Sequence, residues 1–231
     1  MMQDIKSNLT TIHARIEKAC RKAGRKKEEV KLLLATKTVP AERILIAGEC
    51  GENLIGENRV QEAVEKLEAI EHFPFERHFI GHLQSNKVKD ILKYAHTIQS
   101  IDRLSIAEKL ENHLQKEGRS INVLIQVNSS YEESKFGMEP EKAIELLRSV
   151  SKLSCLRIKG LMTIGANTEE ETLIRKSFQI IKNLQKQIIK EGIEGVSMDI
   201  LSMGMSSDLE LAIEEGSSLI RVGSAVFGNR G

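Results

Sequence analysis

Four features of the 231-residue chain have residue types and spacing that could do chemistry. Lys37 closes the apolar run Val30-Lys31-Leu32-Leu33-Leu34-Ala35. A lysine at the end of a buried strand carries its amine to the mouth of the fold, where partial desolvation lowers its pKa and lets it attack a carbonyl. The alternative is a lysine whose stem runs past the strand end into solvent. Ser202-Met203-Gly204-Met205-Ser206-Ser207-Asp208 follows another apolar run and opens a helix. Its backbone N–H groups and hydroxyls converge as in phosphate sites at helix starts. The plainer alternative is a capped helix with Ser206 as N-cap. Gly223-Ser224 could form a second wall of the same site, because glycine permits close backbone approach. Arg221 lies two residues before Gly223, inside an apolar run. It is costly there unless it is ion-paired or meets a ligand, and both readings stay open.

Other polar clusters are weaker. His78 and His82 are four apart but span a strand end, so they do not share a face as zinc-ligand histidines on a helix would. Cys20, Cys50 and Cys155 are isolated, which argues against a disulfide framework or a zinc knuckle. Asn86, Lys87 and Lys89 read as a solvated helix start, and Glu132, Glu133 and Lys135 as a polar loop. The basic residues Arg15, Lys18, Arg21, Lys22, Arg25, Lys26 and Lys27 end a helix, and Glu28 and Glu29 follow at once. That alternation is unlike a nucleic-acid patch. No metal site is expected.

The elements that position these residues alternate regularly. Ile5, Leu9, Ile12, Ile16 and Ala19 recur at helical spacing and predict an amphipathic helix over 3–22. Eight short apolar runs then alternate with helical patterns. They begin near Val30, Asn53, His78, His96, Val123, Ile158, Met198 and Ser218. Runs without alternation suit strands buried on both faces of a parallel sheet. Eight βα units in a chain near the usual barrel length of about 250 residues predict a single (β/α)8 TIM barrel with an extra N-terminal helix, one domain over 1–231. An open doubly wound sheet would more often carry a Gly-x-Gly-x-x-Gly turn after its first strand. Thr36-Lys37-Thr38-Val39-Pro40 stands there instead. In such barrels the active face lies at the C-terminal strand ends, with phosphate after strands seven and eight. The chemistry-bearing segments fall at those positions.

Composition excludes several partner classes. The 34 Lys and Arg against 33 Asp and Glu leave a net charge of +1, unlike the basic excess of general nucleic-acid binders. No apolar run reaches the roughly 18 residues of a membrane span, and MMQDIKSNLT holds no signal-peptide core, so a cytoplasmic protein without membrane partners is expected.

Five ordered motifs carry a family resemblance over essentially the whole chain. They are Ala35-Thr36-Lys37-Thr38-Val39-Pro40, Gly56-Glu57-Asn58, the segment from His78 to Lys87, Leu201-Ser202-Met203-Gly204-Met205-Ser206, and Arg221-Val222-Gly223-Ser224-Ala225-Val226-Phe227-Gly228. Together they resemble the pyridoxal 5′-phosphate (PLP) homeostasis proteins, stand-alone relatives of the alanine racemase N-terminal barrel. The resemblance implies PLP held as a Schiff base on Lys37 and Arg221 facing the pyridine nitrogen. It also implies Ser206, Gly223 and Ser224 at the phosphate, with Asn58 near the ring. Ile55 and Ser224 depart mildly from the family pattern, which often has Phe and Thr there. The chain's end at Gly231 is read as leaving no second domain to supply the tyrosine base of a racemase. Tyr131 sits in the loop after strand five, but nothing marks it as a base. The expectation is therefore a carrier or buffer of PLP, affecting amino-acid and keto-acid pools, rather than an enzyme. PLP-dependent apo-enzymes are the candidate recipients, and a monomer or weak dimer is expected. The rival is a low-activity PLP-dependent amino-acid racemase.

Overall fold

A computed structural model of the chain describes residues 2–228; Met1 and 229–231, which the expected domain span includes, lie outside the described residues. Eight parallel strands close into a barrel in chain order, as the alternating pattern predicts. They are β1 (Lys31–Ala35), β2 (Leu54–Glu57), β3 (Glu76–Phe79), β4 (Thr97–Ile101), β5 (Ile121–Gln126), β6 (Leu156–Met162), β7 (Val196–Ser202) and β8 (Leu219–Val222). Pairing of Lys31 through Leu34 with Leu219 through Val222 closes the circle. Every residue of β2 and β4 is buried, the condition that makes parallel strands read as unbroken apolar runs.

Helices α2 (Ala41–Glu49), α3 (Val60–Ile70), α4 (Val88–Tyr94), α5 (Leu104–Glu117), α6 (Ala143–Val150), α7 (Glu171–Glu191), α8 (Leu209–Glu214) and α9 (Ser224–Phe227) follow the successive strands. The additional helix α1 (Met2–Lys22) precedes β1 and buries Ile5, Leu9, Ile12 and Ile16. That stripe contributes up to about 6–12 kcal/mol by transfer of apolar surface. α1 lies against α8 and α9, the two elements that follow β7 and β8.

Several strands differ by a residue or two from the apolar runs that announce them, β7 and β3 among them. β7 begins at Val196, where Val196 pairs with Ile158 of β6 although the side chains of Val196 and Ser197 are only partly covered. Ser202 is consequently the last residue of β7 rather than part of the following loop. β3 ends at Phe79, leaving Ile80 and Gly81 in the turn.

The inside of the barrel has two parts. Leu33, Leu54 and Leu219, with Ile80 and Ile200, form an apolar cluster separate from the larger core between strands and helices. Beside it, the buried side chains of His78, Gln99, Ser202 and Arg221 are polar.

Candidate functional site

The C-terminal rim of the barrel surrounds a cavity of about 810 Å3. Its lining includes all six sequence-predicted residues, namely Lys37, Asn58, Ser206, Arg221, Gly223 and Ser224.

Lys37 lies in the turn two residues beyond β1 and is exposed. The expected partial desolvation is therefore not seen: the strand ends early enough to let the side chain reach water. The turn itself is held tightly. The Thr36 hydroxyl donates to Glu57 Oε1 at 2.7 Å, and Lys66 Nζ donates to the same oxygen at 2.7 Å and to the Thr36 carbonyl at 2.9 Å. On the other side of Lys37, the Thr38 N–H donates to Glu62 Oε2 at 2.6 Å. Thr38 has φ +61°, a left-handed conformation that costs a non-glycine residue unless its surroundings impose it. Glu57 is fully buried; burial raises its carboxyl above the ordinary glutamate value, opposed by Lys66 and Thr36.

Arg221 is buried in β8. Its Nη1 donates to Ser202 Oγ and its Nη2 to the Thr163 carbonyl, both at 2.7 Å. Among the described residues no carboxylate forms an ion pair with it, so the salt-bridge reading gives way to a buried cation on neutral acceptors. Burial lowers the guanidinium to about 10, with Asp208 opposing the shift, and it stays protonated at neutral pH. Such a group still has donors to spend on a ligand.

The loop after β7 turns at Gly204, whose φ of +95° suits glycine; a Cβ there would meet Ala212 Cβ at 2.4 Å. Helix α8 begins only at Leu209, with Asp208 as its cap residue, so Ser206 is not the N-cap. Asp208 Oδ1 instead accepts from the Met205 N–H at 2.6 Å. That bond folds Met205, Ser206 and Ser207 onto the cavity wall. α1 anchors the loop after β7 and helix α9: Arg15 Nη2 donates to the Ser206 carbonyl at 2.9 Å, and Asn8 Nδ2 to the Val226 carbonyl at 2.9 Å. Arg15 also makes paired bonds to Glu210 at 2.7 and 2.8 Å. Across the cavity, Gly81 lies so close to the second turn that a Cβ would stand 2.0 Å from the Asn58 carbonyl oxygen.

Several lining residues were not singled out from sequence as binding residues. Arg43, His82 and Gln126 face the cavity. Gln126 ends β5, but the apolar pattern continues through Val127 and hides the strand end. His82 belongs to a segment that carries the family resemblance, which gives it no binding role; its ring stacks on Phe136 at 3.9 Å. Among the described residues, Asn58 Oδ1, Gln126 Oε1 and Arg43 Nε are buried without a hydrogen-bond partner, while His82 Nδ1 lies 3.4 Å from Asp102 Oδ2. Buried polar atoms are normally satisfied, and three such atoms on residues that line one cavity suit a polar ligand. With an amine, a donor-only guanidinium and a hydroxyl-lined wall, the donor set fits a flat phosphorylated aldehyde. Tyr131 does not join them: it has φ +57°, is exposed, and donates to Glu141 Oε1 at 2.6 Å.

Fold and site define a closed (β/α)8 barrel with a lysine on its first βα turn and an arginine buried in its last strand. The chain belongs to the alanine racemase N-terminal domain family, which matches residues 7–231, and within it to the pyridoxal phosphate homeostasis proteins. It is 41% identical over 222 residues to the pyridoxal phosphate homeostasis protein of Aquifex aeolicus, covering 96% of each chain. A protein of unknown function from Bifidobacterium adolescentis has the same structure at a TM-score of 0.95 and 37% identity, over 98% of this chain and 95% of that one. PipY of Synechococcus elongatus, solved with PLP bound, matches at a TM-score of 0.85 and 30% identity, over 97% of this chain and 100% of that one.

Proposed function

We propose that this chain binds PLP in the rim cavity and serves PLP homeostasis as a carrier or buffer of the cofactor. The observation that carries this reading is one cavity lined by an exposed lysine amine and a buried arginine with neutral partners, beside the Ser206 and Ser224 wall. Lys37 holds the aldehyde end through its amine. Its exposed turn, braced by Glu57, Lys66 and Glu62, keeps that amine accessible for loading and release. Ser206, Gly223 and Ser224 hold the phosphate, and the unpartnered amide oxygen of Asn58 lies beside the ring. Arg221 donates to the pyridine nitrogen. Arginine does not surrender its proton, so the ring nitrogen stays unprotonated. Bound PLP supplies an electron sink for amino-acid chemistry, and an arginine partner weakens that sink. A weakened sink suits storage and delivery better than turnover. PLP-dependent apo-enzymes in the cytoplasm are the recipients, and the protein works as a monomer or weak dimer. Among the described residues no helix is long and apolar enough to cross a membrane.

Titration of the purified protein with PLP, followed by absorbance, tests the reading. Wild type should develop the band of lysine-linked PLP, and Lys37→Ala should lose it. An identical band and affinity in Lys37→Ala would remove Lys37 from the site.

A further inference from the structure

The polar residues inside the barrel form one continuous line. Arg221 Nη1 donates to Ser202 Oγ at 2.7 Å, and Ser202 Oγ donates to Gln99 Oε1 at 2.6 Å, crossing the interior from β7 to β4. Gln99 Nε2 meets His78 Nδ1 at 2.7 Å, and His78 Nε2 meets Glu76 Oε1 at 2.9 Å. Ser202, Gln99 and His78 are each at most 2% exposed, whereas the Glu76 side chain is 48% exposed at the start of β3. The line therefore runs from the cofactor end of the barrel to its opposite mouth.

Counting protons gives the line a direction. Arginine can only donate, so the Ser202 oxygen must accept from Arg221. The single hydroxyl proton of Ser202 then goes to Gln99 Oε1. That turns the Gln99 amide N–H toward His78 Nδ1, which must accept. The remaining ring proton lies on Nε2 and faces the Glu76 carboxylate. Every link donates away from Arg221, and reversing one would leave a buried group unmatched, at the cost of a desolvated, unpaired polar atom.

We propose that Ser202, Gln99 and His78 are positioning residues that hold the Arg221 guanidinium for its contact with the ring nitrogen and link its charge to Glu76. The part concerning the ring nitrogen rests on the PLP reading; the orientation of the line does not. Among the described residues no carboxylate is hydrogen-bonded to Arg221, so its attitude depends on Ser202 Oγ and the Thr163 carbonyl. Ser202 is in turn a well-directed acceptor only while its own proton is engaged by Gln99.

Two measurements test this. Nitrogen NMR of the PLP-free protein near neutral pH should find the His78 proton on Nε2. It should stay there in Glu76→Ala, because the order is imposed from Arg221, and be lost from that single form in Gln99→Met. A proton on Nδ1 in wild type, or one released by Glu76→Ala, would overturn the proposal whether or not PLP binds. With PLP, Ser202→Ala and Gln99→Met should move the absorption band and weaken binding about tenfold, the scale of one hydrogen bond to a charged group. Ser202→Thr, which keeps the hydroxyl, should restore both. Wild-type band and affinity in Ser202→Ala and Gln99→Met, even with lowered stability, would reduce the line to a structural role and overturn the positioning claim. Should the interior variants fail to fold, the wild-type and Glu76→Ala spectra decide, since Glu76 lies at the half-exposed rim. A wild-type protein that takes up no PLP while holding the His78 proton on Nε2 would refute the cofactor reading and leave the oriented line standing.

Discussion

Replacing Lys66 by methionine isolates the network that braces the Lys37 turn. The Glu57 side chain is 1% exposed and that of Lys66 is 14% exposed, so the variant strands a carboxylate in the interior. Lys66 also supplies the donor to the Thr36 carbonyl. Removing one partner of a buried ion pair costs about 3–5 kcal/mol. An independent bound comes from protonating Glu57 instead: from its ordinary value of 4.5 to pH 7 this costs roughly 3.4 kcal/mol at about 1.36 kcal/mol per unit. The two figures agree, and for a chain of this size they correspond to a Tm fall of about 6–20 °C. The sign with pH follows from linkage. Burial already raises the folded-state carboxyl above its unfolded value, and loss of Lys66 raises it further. Between the unfolded and folded values the native state holds the proton, so stability declines as pH rises through that window. The penalty of Lys66→Met should therefore be full at pH 7 and fall below about 2 kcal/mol at pH 5. Urea unfolding at both values measures it, and Glu57→Gln in the same chain should restore much of the loss at pH 7. A loss under about 1 kcal/mol at pH 7, or one indifferent to pH, would refute the claim that a buried charge pair braces this turn.

Two further outcomes follow from the rim. Arg15→Ala removes the α1 bond to the Ser206 carbonyl and should weaken PLP binding about fivefold with a stability loss near 1 kcal/mol; an unchanged dissociation constant would detach α1 from the proposed phosphate site. Gly81→Ala places a methyl group 2.0 Å from the Asn58 carbonyl oxygen and should cost about 3 kcal/mol in urea unfolding, so wild-type stability would contradict the close approach of the two turns.

Much of the site was legible before any coordinates because barrel topology converts sequence position into place. A residue just past a buried parallel strand stands on the C-terminal rim, so Lys37, Ser206, Gly223 and Ser224 could be gathered from the ends of apolar runs, whereas Asn58 entered through the family resemblance. Arg221 stood out because a charge within such a run demands a partner. Strand ends that coincide with a change in burial were readable, and those that do not were missed. Gln126 is hidden by Val127 behind it, and Ser202 closes β7 where a loop was expected.

The basic end of α1 marks the sharper boundary. Arg15 and Arg25 looked like members of a solvated charge cluster, yet Arg15 grips the Ser206 loop and Arg25 Nη1 donates to the Ile213 and Ser217 carbonyls at 2.9 and 2.7 Å. Nothing in a run of basic residues tells which one has a carbonyl opposite it. His78 likewise read as half of a weak histidine pair, and its meaning came only when β4 and β7 brought Gln99 and Ser202 into line across the interior. The periodicity of apolar residues, a local property, determined by itself the eight βα units and therefore the rim. Tertiary structure decided which neutral acceptors hold Arg221, which carboxylate lies beneath the Lys37 turn and which helix ties down the Ser206 loop. Such contacts join residues up to 218 positions apart, and their geometry exists only once the barrel has closed.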